Sequence, residues 1–172
     1  MHIRMRETAK AMKTLTEYLD EYGISHRNPL NQKIHFFCVP LIFFATLGIA
    51  WCLPLGAWMG LEAPLAYWVN GATVGATPAA LFYLMLSLRA ALVMAAWLAV
   101  SVLGIVAIDA SPLSLLWTSV VVWVASWAVQ FYGHEVEGAK PSFAKDLLFL
   151  LIGPLFVVDE LSGGYFADPA AR

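Results

Sequence analysis

Residues 34–53 read IHFFCVPLIFFATLGIAWCL, twenty consecutive positions without a charge. At about 1.5 Å per residue a helix of this length reaches roughly 30 Å, the hydrocarbon thickness of a bilayer. The rest of the chain shares that character: of 172 residues, 60% are hydrophobic and only 13% charged, far too apolar for an ordinary soluble domain. The expected fold class is all-α: a polytopic membrane helical bundle, one integral membrane domain over residues 1–172. The solvent implied is the lipid bilayer. The formal net charge of -2 comes without a basic tract, which speaks against nucleic acid as a partner. Cys38 and Cys52 lie about 21 Å apart along one helix, too far for a disulfide.

Upstream of this first span, residues 7–22 (ETAKAMKTLTEYLDEY) space Met12, Leu15, Leu19 and Tyr22 by three and four, with Lys10, Lys13, Glu17 and Asp20 elsewhere around the helix. That pattern predicts an amphipathic helix on the headgroup layer or against the protein body, ended by Gly23 as a C-terminal cap. The N-terminus lacks the apolar core and cleavage site of a signal peptide and is expected to be retained. Asn28 suits an N-cap and Pro29 the first helical position. Pro40 is expected to bend the span and Pro54 to end it.

Downstream, spans are predicted at 65–87, 90–108, 113–133 and 147–166, about five membrane segments in all. Asn70, Gly71, Gly75 and Pro78 make the second irregular. A break at Arg89 is preferred over one helix across 79–108, which would leave that charge inside the bilayer. In the last segment, Asp159 and Glu160 follow only about 18 Å after Leu147, short for a crossing. It reads as a fifth crossing with both acids near the far surface, the alternative being a re-entrant segment.

Charge placement orients the bundle. With four crossings between residues 34 and 133, Arg4, Arg6, Lys10, Lys13, Arg27, Lys33, Arg89, Lys140 and Lys145 share the N-terminal side, while the opposite loops hold Glu62 and Asp109. The positive-inside rule then puts the N-terminus in the cytoplasm. The Ala-rich chain suggests a bacterial inner membrane, with endoplasmic reticulum the reading for a eukaryotic source. A homo-oligomer is left open. Trp51, Trp58, Tyr67, Trp68, Trp117, Tyr132 and Tyr165 fall near span ends as interfacial belts. Trp123 and Trp127 lie deeper, where helix packing is the preferred role and lining an acyl channel the alternative.

The chemistry gathers at the same face. In SWAVQFYGHEVEGAKP, residues 126–141, a helix places Gln130, His134 and Glu137 within about 60° of one another. His26 and His35 flank the start of the first span, so an even number of crossings brings all three imidazoles to one side. Three histidines with Glu137 or Glu135 nearby suit a mononuclear metal with positions left for substrate and oxygen. Asn31, four residues before His35, is placed to hold that ring's second nitrogen. The competing readings are a non-catalytic scaffold or transporter with interfacial histidines and a haem protein with two histidine ligands. Four histidines are too few for the eight-histidine clusters of di-iron membrane desaturases. His2 reads as a tail residue, and Lys33 and Arg27 as ordinary positive-inside residues.

SHRNPLNQKIHFFCVPL, with WAVQFYGHEVEGAKPSFAKDLLFLLIGPLF four spans later, resembles a membrane family long catalogued as a domain of unknown function. That family includes the yeast 2-hydroxy fatty acid dioxygenase of phytosphingosine breakdown. The resemblance covers about residues 15–156. It implies an Fe(II)-dependent, dioxygen-consuming α-oxidation that shortens a 2-hydroxy fatty acid by one carbon. The family's histidines map onto His26, His35 and His134 as metal ligands. Its asparagine maps onto Asn31 and its glutamine and glutamate onto Gln130 and Glu137, which makes Glu137 a candidate catalytic group. Asp159 and Glu160 match no feature of the pattern.

Overall fold

A computed structural model describes residues 12–141 and 148–167, and the regular structure among them is helical throughout. The chain forms α1 (Leu15–Gly23), α2 (Pro29–Trp51), the short turns α3 (Leu55–Trp58) and α4 (Leu65–Trp68), then α5 (Gly71–Leu86), α6 (Leu88–Asp109), α7 (Leu115–Glu137) and α8 (Phe149–Ser162). Among the described residues, three stretches are long and apolar enough to cross a membrane: Pro29–Trp58, Leu88–Asp109 and Leu115–Glu137. They contain the first and third expected spans, 34–53 and 90–108, and overlap all but the first two residues of the fourth, 113–133.

The other two differ from expectation. Residues 65–87 are not one helix, because Asn70 intervenes as an N-cap. Its side chain accepts from the Ala72 and Thr73 amides while Thr73 Oγ1 accepts from the Asn70 amide. What remains is α5, 16 residues or about 24 Å long. The following break falls at Ser87, whose hydroxyl caps α6 through the Ala90 amide, and Arg89 sits exposed in the first turn of α6. The segment expected at 147–166 is helical only over α8, 14 residues or about 21 Å, less than a bilayer's hydrocarbon core. Residues 152–157 of α8 are all buried, against α1, α2 and α6. Position 147 lies outside the described residues.

The amphipathic helix also begins later. Thr14 and Glu17 form a capping box that starts α1 at Leu15, so Met12 and Lys13 precede the helix, and residues 7–11 are outside the described part. Its apolar face (Leu15, Tyr18, Leu19, Tyr22) is buried against α8, which selects the protein body over the headgroup layer. Gly23 is the last helical residue rather than the cap; Ile24 takes that place with right-handed backbone angles. Asn28 and Pro29 start α2 as expected, the Asn28 side chain accepting from the Leu30 amide.

One cluster, Trp51, Ala72, Ile105 and Leu115, joins the end of α2, the start of α5, the end of α6 and the start of α7. The chain therefore runs the length of the bundle four times between His35 and His134. α2 and α7 end up antiparallel, with their histidine-bearing ends together. Lipid tails offer no hydrophobic drive for helices to associate, so such pairs rely on close contact at small residues. A Cβ on Gly48 of α2 would collide with Ser119 Oγ of α7, and one on Gly133 of α7 would lie 2.5 Å from Asn31 Oδ1 of α2. A Cβ on Gly75, by contrast, meets nothing within 4 Å. Gly48→Leu is thus expected to destabilise the protein by about 1–3 kcal/mol, whereas Gly75→Leu leaves thermal unfolding in detergent unchanged; equal losses would contradict this packing.

Candidate metal centre

His26 follows α1 in a short turn, where its ring stacks on Tyr22 with centroids 4.1 Å apart and planes 1° from parallel. His26 Nδ1 lies 2.6 Å from the Tyr22 carbonyl oxygen, and His35 Nδ1 lies 2.9 Å from the Asn31 carbonyl oxygen. A carbonyl only accepts, so each Nδ1 carries the proton and each Nε2 presents a lone pair. Those two Nε2 atoms face each other at 3.0 Å. Two lone pairs at that distance repel unless a cation lies between them.

The third ring closes the triangle. The His134 centroid lies 5.0 Å from that of His26 and 4.9 Å from that of His35, and the candidate ligand nitrogens all fall within 4.8 Å of one another. Nitrogens around one ion at about 2.1 Å stand roughly 3–4 Å apart, so a slight inward movement of one ring suffices to share an ion. The three side chains are buried (1%, 0% and 4% exposed), and His134 Nδ1 has no hydrogen-bond partner. Burial pushes the His26 ring from 6.5 down to about 4, so it is neutral at physiological pH, the form a metal requires.

Glu137 fixes the relation between the rings. Its carboxylate accepts from the backbone amides of Arg27 (2.9 Å) and Asn28 (2.8 Å) and from the Asn31 side-chain amide (3.1 Å). A negative charge at the N-terminus of α2 is favoured by the helix dipole and by the amides that have no intrahelical partner. This strut ties the end of α7, with His134, to the start of α2, with His35. α7 reaches that far because it continues one turn beyond the expected end at 133 and stops at Gly138, in the left-handed conformation (φ 71°). Asn31 departs from expectation in one respect: its backbone, not its side chain, holds His35, while its side-chain nitrogen also donates to the Ser25 carbonyl (3.1 Å).

Two residues beside the rings, Tyr22 and Gln32, were not among the expected site residues. Gln32 Nε2 donates to the His26 carbonyl at 2.8 Å and steadies the loop. Tyr22 did carry a signal, since it precedes His26 by one helical turn, but its place on an apolar stripe reads as packing alone. Asp159 accepts from the Phe166 amide (2.8 Å) and closes the end of α8, and Glu160 is exposed. Neither joins the histidine cluster.

Beside the cluster lies a cavity of about 700 Å³ between α2, α5, α6, α7 and α8, walled mostly by apolar side chains. His134, Gln130 and Tyr22 mark one end; Ala50, Gly71 and Ala72 mark the other. Gln130 is 5% exposed and its Oε1 has no partner. Trp123 and Trp127 both line this space, and Trp123 Nε1 donates to Thr46 Oγ1 at 3.1 Å.

Residues 12–165 match the family model described as 2-hydroxy-palmitic acid dioxygenase Mpo1-like. The chain belongs to the Mpo1-like family. No curated protein and no solved structure matches it. The match takes in the whole of the expected range, 15–156, and runs past it at either end. In this Mpo1-like chain, three buried imidazoles suited to one metal ion accompany a family name that denotes dioxygenase chemistry on a hydroxylated fatty acid.

Two outcomes follow from the geometry. Alanine at His26, His35 or His134 should each abolish stoichiometric metal in purified protein, whereas Glu137→Gln should weaken metal affinity about 10–100-fold by loosening the rings, read by equilibrium dialysis. Between pH 6.5 and about 4 the unfolded chain binds a proton that buried His26 refuses. Stability of the metal-free protein should therefore fall as pH drops through that window. Melting after chelation should show a shallower pH slope for His26→Gln than for the wild type; identical slopes would contradict it.

Proposed function

We propose that this protein is an Fe(II)-dependent dioxygenase that shortens 2-hydroxy fatty acids by one carbon. The observation that supports this most directly is the meeting of three buried imidazoles with the polar end of a long apolar cavity. Along α2 the lining runs from Val39 to Ala50, and along α7 from Trp123 to His134. Either stretch measures about 17 Å. An acyl tail in one leaflet occupies about half of a 30 Å hydrocarbon core, so the cavity is long enough for one.

In this reading His26, His35 and His134 hold the ion. Iron(II), when bound, supplies one-electron chemistry toward dioxygen and a Lewis acid for the adjacent hydroxyl and carboxylate of the acid. Gln130, buried with an unsatisfied carbonyl, accepts a hydrogen bond from the substrate's polar head. Glu137 and Asn31 act as positioning residues that hold α7 on α2. The apolar walls, including Trp123 and Trp127, take the tail and exclude water.

The overall reaction balances without an external reductant. The C1–C2 bond breaks, C2 becomes the new carboxyl carbon and C1 leaves as carbon dioxide. The acid gives up four electrons, which reduce dioxygen, and one water forms. The protein sits as a multi-pass protein in a membrane, the bacterial inner membrane by its composition, with the histidines toward the cytoplasm by the positive-inside rule. A haem sandwiched between His26 and His35 has no room, given 3.0 Å between their Nε2 atoms.

Anaerobic purification, iron loading and addition of oxygen with 2-hydroxyhexadecanoate should yield pentadecanoate and carbon dioxide in equal amounts. His134→Ala should lose iron and turnover together. Iron-loaded protein that consumes neither oxygen nor the hydroxy acid would sink the reading.

A further inference from the structure

The end of the cavity away from the histidines has its own construction. Leu47, Ala72, Ala76 and Leu98 line the main cavity there, and the same four residues also line a second void of about 50 Å³. That void lies deeper among Trp51, Thr73, Val102 and Ile105. A thin partition from α2, α5 and α6 thus separates a long bore from a small empty space beyond it. At this end the α5 wall consists of Gly71, Ala72, Gly75 and Ala76, side chains small enough to leave the bore wide.

We propose that this partition sets the length of the acyl chain the protein accepts, with Leu98 and Leu47 as its stop and Gly75 as the position that keeps the distal bore open. The proposal rests on the reading above, in which the tail enters with its polar head at the histidines. Gly75 lies about 12 Å along α5 from Tyr83, which lines the cavity toward the histidine end. A Cβ there meets no neighbour within 4 Å, so a larger side chain extends into open space without moving a helix. Leucine at 75 would close the distal part of the bore. Alanine at 98 would instead open the partition and join the second void to the first, making room for a longer tail.

The magnitude follows from burial. Each methylene removed from water contributes roughly fourfold in affinity, so a change of two or more methylenes in accessible depth moves relative affinities by tenfold or more. The readout is therefore the ratio between acids of different length on one and the same protein, which a general loss of activity or of folded protein does not change.

The experiment uses full-length protein in detergent with 2-hydroxydecanoate, 2-hydroxyhexadecanoate and 2-hydroxyeicosanoate. Turnover of the iron-loaded protein is measured for each acid, and binding to metal-free protein is measured by displacement of a fluorescent fatty acid. Gly75→Leu should lower kcat/KM and affinity for the hexadecanoate at least tenfold relative to the decanoate. Leu98→Ala should raise the eicosanoate about tenfold relative to the hexadecanoate. If wild-type protein turns over none of these acids but the binding order shifts as stated, the ruler stands and the proposed reaction falls. If turnover is present and both variants keep the wild-type order, the ruler is overturned while the reaction stands. Absence of binding to any acid overturns it as well. Should Gly75→Leu fail to fold, Leu98→Ala decides alone through its opposite sign.

Discussion

Two backbone carbonyls, those of Tyr22 and Asn31, each take up the Nδ1–H of an imidazole and so determine where the remaining lone pairs go. Both Nε2 lone pairs converge on one point in a buried site, an arrangement unfavourable for the polypeptide alone. A cation resolves it. The pieces around this point serve to hold it: the ring of Tyr22 stacked on His26, the amide of Gln32 on the His26 carbonyl, and the Glu137 carboxylate bridging α7 to the start of α2. The strut accounts for a glutamate lying one helical turn beyond His134. Its charge neutralises a helix terminus and does not have to touch the ion to be needed.

Around that polar end the bundle is arranged by the demands of an apolar solvent. Backbone groups are satisfied within helices, and the breaks between helices are capped by Asn28, Asn70, Ser87 and Ser114. α2 and α7 approach closely through Gly48 and Gly133. α5 and α6, packed on the other side of α2, leave a cavity because much of the wall they present is glycine and alanine. Close contact at one helix pair and slack at the next are two uses of the same small residues. The difference is whether a neighbour fills the space, as Ser119 does at Gly48 and as nothing does at Gly75.

Much was legible in the chain itself. Uncharged stretches near twenty residues long specify helices that suit a bilayer, because the hydrocarbon core penalises any charge or unpaired backbone group. Asn28 followed by Pro29 marked the start of α2 through local cap chemistry alone. The helical period placed Gln130, His134 and Glu137 on one face, and the parity of crossings brought His26, His35 and His134 to one end. The helix boundaries were less legible: α7 runs one turn past Gly133, and α5 starts only after Asn70, since capping depends on which side chains the folded backbone brings within reach.

Sequence by itself therefore determined the helical class, the end of the bundle that carries the histidines and the family to which the chain belongs. Tertiary structure alone decided which atoms of those residues act. The Asn31 carbonyl rather than its side chain holds His35, Glu137 reaches back across more than a hundred residues to the α2 amides, and α8 is buried against its neighbours. The reason is range. Periodicity and capping are set by neighbours within a turn or two, whereas ring tautomers, struts and cavities depend on groups far apart in sequence that meet only once the helices have packed.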